Sequence, residues 1–351
     1  MMKVLHVAET IKGGVATVLR QLTLGIDKVE HLCVVPDSQE KELSKYNLIL
    51  FKRTGRNIRS FLNLAICFLK TVRKHKPDVI HLHSTFAGVI CRLLLPLIFI
   101  FYRPRVIYSP HAFSFMMKTS KIKIIIYAIT ERCLQIMTDK IICVSQFEFE
   151  QGVEKGLSRN LMTVIYNSVE EPLPIDSVSC PYKEKNKINL LFVGRLDYQK
   201  GFDLLIKLAN ILDDKYHITV IGDGVHSSFD KENTRNITYK GWLDRESIVP
   251  YFLYGDVLVM PSRWESFGLS AVEAQSYGMP VIAANNSSLP EVVMDKKTGY
   301  LFSSDNIEEV KVILEKLSKD DFKKMGHECK VFYQENFKTE VMCSSTLACY
   351  K

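Results

Sequence analysis

Glu265 and Glu273 are separated by seven residues, Ser266-Phe267-Gly268-Leu269-Ser270-Ala271-Val272, where the local pattern changes from strand to helix. Upstream, Val257-Leu258-Val259-Met260 is an unbroken apolar run of the kind that forms a buried parallel strand, and Pro261-Ser262 stops it. Leu269, Val272 and Ala274 then recur at near-helical spacing. Gly278-Met279-Pro280 ends that helix before Val281-Ile282-Ala283-Ala284 opens another strand. A strand, glycine-bearing turn, helix and strand in this order point a helix N-terminus at the carboxyl edge of a sheet. Unpaired N–H groups and the helix dipole favour a phosphate there. Carboxylates are poor phosphate ligands but good acceptors for hydroxyls, so one acid at the mouth and one over a turn deeper suit sugars on either side of a diphosphate. Two solvated helix carboxylates are the alternative.

Cations occur at a matching place. Ile188 to Val193 reads as a strand, Gly194-Arg195-Leu196 follows it, and Lys200-Gly201 closes the loop before a helix from Phe202. Arg195 and Lys200 on one loop beyond a strand end have the right chemistry for a leaving diphosphate. Gly222-Asp223-Gly224 forms the turn after the next strand, His217 to Ile221. In the first half, Gly13-Gly14 lies between the strand Val4 to Ala8 and the helix Val15 to Leu24, where backbone N–H groups can approach a ligand closely. Pro110-His111-Ala112-Phe113 follows the strand Val106 to Ser109. His81 and His83 are two apart and share one face of a strand. A His-x-His pair can bind metal, but no Cys, Asp or Glu follows nearby to complete a zinc set, and no metal site is expected. The Gly-x-Gly-x-x-Gly fingerprint is absent, which argues against a nicotinamide dinucleotide.

Together, the string from Phe192 through Gly194-Arg195-Leu196 to Lys200-Gly201, the Glu265 to Glu273 segment, and Tyr166-Asn167-Ser168-Val169 resemble retaining glycosyltransferases of the GT4 family, of the bacterial surface-polysaccharide type. Ser168 stands where the family usually has glycine. The resemblance covers the chain and is strongest from residue 190 to 300. It implies the GT-B fold: an α/β protein of two Rossmann-like parallel-sheet domains facing a cleft, with a C-terminal helix crossing back to the first. The corresponding boundaries are 1–170 for an acceptor domain, 171–187 for a linker, 188–330 for a donor domain and 331–351 for the returning helix. By the same resemblance Glu273 accepts from the ribose hydroxyls of the donor. Arg195, Lys200 and the N–H groups around Phe267, Gly268 and Leu269 hold the diphosphate, and Glu265 orients the sugar. Gly224 borders the nucleotide, and His111 with the Gly13-Gly14 loop approaches from the first domain. No Asp-x-Asp element is present, so no cofactor and no metal are expected, with Arg and Lys serving where Mg²⁺ serves in the other common glycosyltransferase fold.

Composition is compatible with this. A chain of 351 residues with 47% apolar content can fill two cores. Nine cysteines without a Cys-x-x-Cys pair argue for a reducing compartment rather than a disulfide framework. No targeting segment precedes the first strand, which argues against a periplasmic solute-binding protein. Residues 1–170 hold 24 Lys and Arg against 13 Asp and Glu, whereas residues 171–351 hold 22 against 26. A basic first half points to an anionic partner. Phe86 to Phe101 is the most apolar stretch, but Arg92 and Pro96 interrupt it, and a span needs roughly 20 residues. It reads as a buried helix, with an interfacial helix anchored by Arg103 and Arg105 as the alternative. Lys118, Lys121 and Lys123 flank a second apolar segment, and Lys52, Arg53, Arg56 and Arg59 form a basic loop. The expected partners are a nucleotide-sugar donor, a polyprenyl-diphosphate-linked acceptor and an anionic membrane surface. The expected location is cytoplasmic, peripheral on the inner face of the membrane, in O-antigen, capsule or exopolysaccharide synthesis. A sugar-nucleotide epimerase of the same fold is the competing reading. Nucleic acid is not an expected partner, because the basic runs at 52–59 and 70–76 contain no interleaved Trp or Tyr.

Overall fold

The computed structural model describes residues 1–11, 13–43, 47–172, 178–183, 186–224 and 236–351. They form two compact units, residues 1–170 with 339–351, and residues 171–338.

The first unit contains β1 (Met2–Ala8), α1 (Gly14–Gly25), β2 (Val29–Pro36), β3 (Leu48–Phe51), α2 (Ile58–His75), β4 (Val79–His83), α3 (Thr85–Phe99), β5 (Arg105–Ser109), α4 (Lys121–Leu134), β6 (Lys140–Cys143), α5 (Gln146–Glu154) and β7 (Met162–Val164). Its sheet is parallel in the order β3-β2-β1-β4-β5-β6-β7. Val4, Leu5 and Val7 of β1, and Ile80 and Leu82 of β4, are buried, because helices cover both faces of a parallel sheet. The short strand β3 was not foreseen in the sequence. Its four residues offer too little pattern to separate it from a loop.

The second unit contains β8 (Ile188–Val193), α6 (Phe202–Ile211), β9 (Tyr216–Ile221), β10 (Ile237–Gly241), α7 (Arg245–Tyr254), β11 (Val257–Met260), α8 (Leu269–Ser276), β12 (Val281–Ala284), α9 (Leu289–Val292), β13 (Gly299–Phe302), α10 (Glu308–Glu315) and α11 (Lys319–Asn336). Its parallel sheet runs β10-β9-β8-β11-β12-β13. The last helix, α12 (Thr339–Tyr350), belongs to the first unit, where Met342, Cys343 and Tyr350 pack with Val4, Val18 and Leu22. The return thus begins at Thr339, not at residue 331. Residues 331–336 continue α11, which packs on α8. Within the expected linker, Tyr182 is buried and its hydroxyl donates to the Tyr251 carbonyl at 2.9 Å, and the Val178 carbonyl accepts from the Tyr254 hydroxyl at 2.6 Å. Residues 173–177 and 184–185 of that segment lie outside the described residues.

The apolar stretch at 86–101 is neither wholly buried nor wholly interfacial. α3 turns Ala87, Cys91, Leu95 and Ile98 inward and leaves Leu93 and Leu97 exposed. The charge within it points inward too. Arg92 on α3 is fully buried and donates through Nη2 to Glu131 Oε2 at 2.7 Å and through Nε to the Gly88 carbonyl at 2.9 Å. Tyr108 on β5 donates to the other Glu131 oxygen at 2.9 Å, and the Arg92 guanidinium lies 4.0 Å from the centre of the Tyr108 ring. This triad joins α3, α4 and β5. Among the described residues no helix is long and apolar enough to cross a membrane.

Candidate active site

In the second unit the loops after β8 and β11 meet at the carboxyl edge of the sheet. Gly201 makes the meeting possible. It caps α6 in a left-handed conformation, φ 66°, and a Cβ there would collide with the Pro261 carbonyl. The contact carries Lys200 to Glu265: Lys200 Nζ donates to Glu265 Oε1 at 2.6 Å, with both side chains largely buried. The Lys200 N–H donates to Asp197 Oδ1 at 2.9 Å. Arg195 remains half-exposed, and its Nη2 donates to Gln199 Oε1 at 2.7 Å and lies 3.2 Å from Asp197 Oδ2. Gln199 in turn donates through Nε2 to the Trp264 carbonyl at 3.2 Å.

A third loop fixes Glu265. Its N–H donates to Ser287 Oγ at 2.9 Å, and the Ser288 hydroxyl donates to the Glu265 and Phe267 carbonyls at 3.2 and 3.0 Å. Gly268 then caps α8 at φ 105°, another left-handed position. Leu269 opens the helix, and Glu273 lies half-buried one turn on. The Phe267 ring packs edge-on to Phe337 with centroids 5.7 Å apart and is buried, so this residue can offer a ligand only its main chain. Gly224 is exposed in the turn after β9; its neighbour Asp223 accepts from the Leu196 N–H at 3.2 Å, which ties that turn to the Arg195 loop.

Several further side chains support these loops. Arg263 holds Asp203 with two bonds of 2.7 Å, reaches Asp305 at 2.8 Å and stacks on Tyr198 at 3.8 Å. Hydrogen bonding to Asp203 raises its pKa further. Asn286, Ser287 and Ser288 had a signal, a polar cluster directly after a core strand. Arg263 had none.

In the first unit the strand order reverses between β1 and β4, the usual place for a ligand in an open α/β sheet. Gly13, at φ 81°, and Gly14 start α1 just beyond β1. His111 follows β5 with φ 52°, and Ala112 has φ 106°. Left-handed non-glycine residues cost on the order of 1–3 kcal/mol each and cluster at functional sites. Buried Glu148 holds this turn: its Oε1 accepts from the Ala112 N–H at 2.8 Å and its Oε2 from Val144 at 2.7 Å. From sequence, Ser145 and Glu148 resemble a capping box, a pattern that does not announce a reach to another strand's turn.

His81 and His83 do share one face, and strand register adds His6 from β1, with one ring nitrogen of each within 4.8 Å of the others. Every one of these rings is hydrogen-bonded. His81 has Tyr350 Oη at 2.8 Å from Nδ1 and Ser109 Oγ at 2.8 Å from Nε2. His83 Nδ1 lies 3.0 Å from His111 Nε2. Burial pushes His6, His81 and His83 well below the usual imidazole range, and pushes His111 down to about 4, so the rings are neutral at pH 7.

The chain's relatives agree with this architecture. A model of "Glycosyltransferase Family 4" matches residues 12–171, and one of "Glycosyl transferases group 1" matches residues 181–334. A 41.2 kDa protein from the cps region of Klebsiella pneumoniae is 44% identical over 100% of this chain and 99% of its own length. The Escherichia coli UDP-Gal:alpha-D-GlcNAc-diphosphoundecaprenol alpha-1,3-galactosyltransferase is 26% identical over 69% of this chain and 67% of its own. The crystal structure of Anabaena HepE in complex with UDP and glucose superposes with a TM-score of 0.83, covering 99% of each chain at 17% identity, which speaks to the fold. With two Rossmann-like parallel-sheet units and matches across both, the chain belongs to the GT4 family of GT-B glycosyltransferases.

Proposed function

We propose that the protein is a retaining, metal-independent hexosyltransferase that moves a sugar from a nucleotide-diphosphate donor to a polyprenyl-diphosphate-linked acceptor in surface-polysaccharide synthesis. The observation that carries the reading is the Lys200 to Glu265 contact of 2.6 Å beside the N-terminus of α8. A cation and free helix N–H groups for the diphosphate then sit next to a carboxylate for the sugar. Lys200 and Arg195 stabilise the charge that develops as the sugar–phosphate bond breaks. Glu265 accepts from sugar hydroxyls, and Glu273 from the ribose. The cps-region relative and the E. coli relative's lipid-diphosphate acceptor support the pathway and the acceptor class. The test is a transfer assay with nucleotide sugars and a polyprenyl-diphosphate saccharide, with and without EDTA. Transfer with an α-linked product is expected from an α-linked donor, at a rate unchanged by EDTA. Loss restored by Mg²⁺ or Mn²⁺ would overturn the metal-free part. Conversion of donor without acceptor would favour an epimerase.

The acceptor class has a second support in the first unit. α3 packs against both α2 and α4, and all three expose apolar side chains: Ile58, Leu62 and Ile66; Leu93 and Leu97; Ile122, Ile125, Ile126 and Ile129. Ile100 and Phe101 continue the exposed surface past α3. Arg56, Arg59, Lys118, Lys121 and Lys123 are exposed in the same helices and their leading loops. Not every expected cation takes part. Arg53 turns inward to buried Glu9 at 2.8 Å, and Arg105 donates to the Cys349 carbonyl at 2.7 Å. A basic, apolar helix face fits peripheral docking on the anionic inner leaflet. The protein is expected to pellet with anionic liposomes at low salt and to release at high salt. Replacing Lys118, Lys121 and Lys123 by Ser is expected to weaken partitioning by about 3 kcal/mol, on the order of 10²-fold. Equal binding to neutral and anionic vesicles, insensitive to salt, would leave only the apolar contribution.

A further inference from the structure

The imidazoles of His31, His6, His83 and His111 form a single hydrogen-bonded chain in the first unit. His31 Nδ1 meets His6 Nε2, His6 Nδ1 meets His83 Nε2, and His83 Nδ1 meets His111 Nε2, each at 3.0 Å. The far end is fixed by chemistry: His31 Nε2 lies 3.0 Å from the Ile26 carbonyl oxygen, which can only accept. His31 therefore carries its proton on Nε2, and its Nδ1 accepts from His6. A neutral imidazole has one donor and one acceptor. His6 Nδ1 must then accept from His83, and His83 Nδ1 from His111. The opposite polarity would set a bare His31 nitrogen against the carbonyl oxygen. One carbonyl thus orders four rings from four separate elements, β1, β2, β4 and the turn after β5. Apolar side chains at these positions would cover the same area without desolvating four polar rings.

We propose that this chain is a positioning device acting through His111. It holds His111 as the Nε2–H tautomer, so that the ring has only an accepting Nδ1 left for a ligand at the carboxyl edge of the first sheet. His111 then selects a hydroxyl, which donates, over a phosphate or carboxylate oxygen, which cannot. The selection of a sugar hydroxyl rests on the glycosyltransferase reading; the polarity of the chain does not. The buried carboxylate of Glu148 holds the strained backbone at Ala112, which fixes where the last ring sits.

The decisive measurement is the tautomer of each histidine in full-length protein labelled with nitrogen-15 histidine, read from two-bond nitrogen–proton correlations at neutral pH and assigned by single substitutions. His31, His6, His83 and His111 are all expected as Nε2–H. In His31→Phe the anchor is gone and His6 Nε2–H has no acceptor, so the chain is expected to reverse and His111 to become Nδ1–H. His31→Gln can offer a carbonyl oxygen to His6 and is expected to keep the original polarity. In the transfer assay His31→Phe is expected to lose on the order of 10-fold in kcat with donor KM little changed, and His31→Gln to restore it. A wild-type His111 found as Nδ1–H overturns the proposal whether or not any variant folds. So does an unchanged His111 tautomer in folded His31→Phe. Equal kcat in the three proteins overturns the selection role alone, and absence of transfer by the wild type overturns the glycosyltransferase reading while leaving the polarity to the spectra.

Discussion

Lys200→Ala is expected to lower kcat by on the order of 10² or more with the fold intact. Removing one donor aimed at developing charge typically costs about 3 to 4 kcal/mol of transition-state stabilisation, and each 1.4 kcal/mol is about tenfold. Lys200 contributes in two ways. It holds Glu265 at 2.6 Å, and in the proposed reaction it faces the charge of the leaving diphosphate while Glu265 accepts from the sugar. Ground-state binding of the nucleotide is expected to change less, because in the proposed site Arg195 and the α8 N-terminus remain. Measuring kcat, donor KM and thermal stability on the same preparation separates the possibilities. Low kcat with a near-normal melting temperature assigns Lys200 to the chemistry. Normal kcat with reduced stability would reassign the pair to holding two loops together.

Arg92→Ala is expected to destabilise the first unit by about 3–5 kcal/mol, because it leaves the buried Glu131 carboxylate without its cation. The change is read as a lower urea midpoint for that unit at unchanged slope. Replacing Arg92, Glu131 and Tyr108 together by Met, Leu and Phe is expected to recover most of the loss, since removing a buried charge network whole is often close to neutral. A loss below about 1 kcal/mol in Arg92→Ala would mean that water reaches the pair and screens it as it does at a surface.

Much of the fold can be read from the chain. Parallel strands covered on both faces read as near-continuous apolar runs; Val257 to Met260 is unbroken, while His6 and His81 interrupt Val4 to Val7 and Ile80 to Leu82. A glycine after such a run, followed by helical spacing, marks a ligand edge. That is why Arg195, Lys200, Glu265 and Gly268 could be placed between a strand end and a helix start, and Glu273 inside a helix, from local pattern. The limits are also local. The stretch 322–350 reads as one helical region, and nothing periodic marks the change of unit at Thr339.

What only the tertiary structure decided are partnerships across long separations. Lys200 meets Glu265, Arg92 meets Glu131, Arg53 turns to Glu9, and four histidines from four elements join end to end. Spacing places His81 and His83 on one face of a strand, because side-chain direction alternates with period two. It cannot say that β1 lies beside β4, since strand order reflects the total burial of the folded sheet. The sequence by itself determined which residues stand at strand ends; the tertiary structure decided which of them touch, because a hydrogen bond or ion pair depends on distance in space and the local pattern carries only distance along the chain.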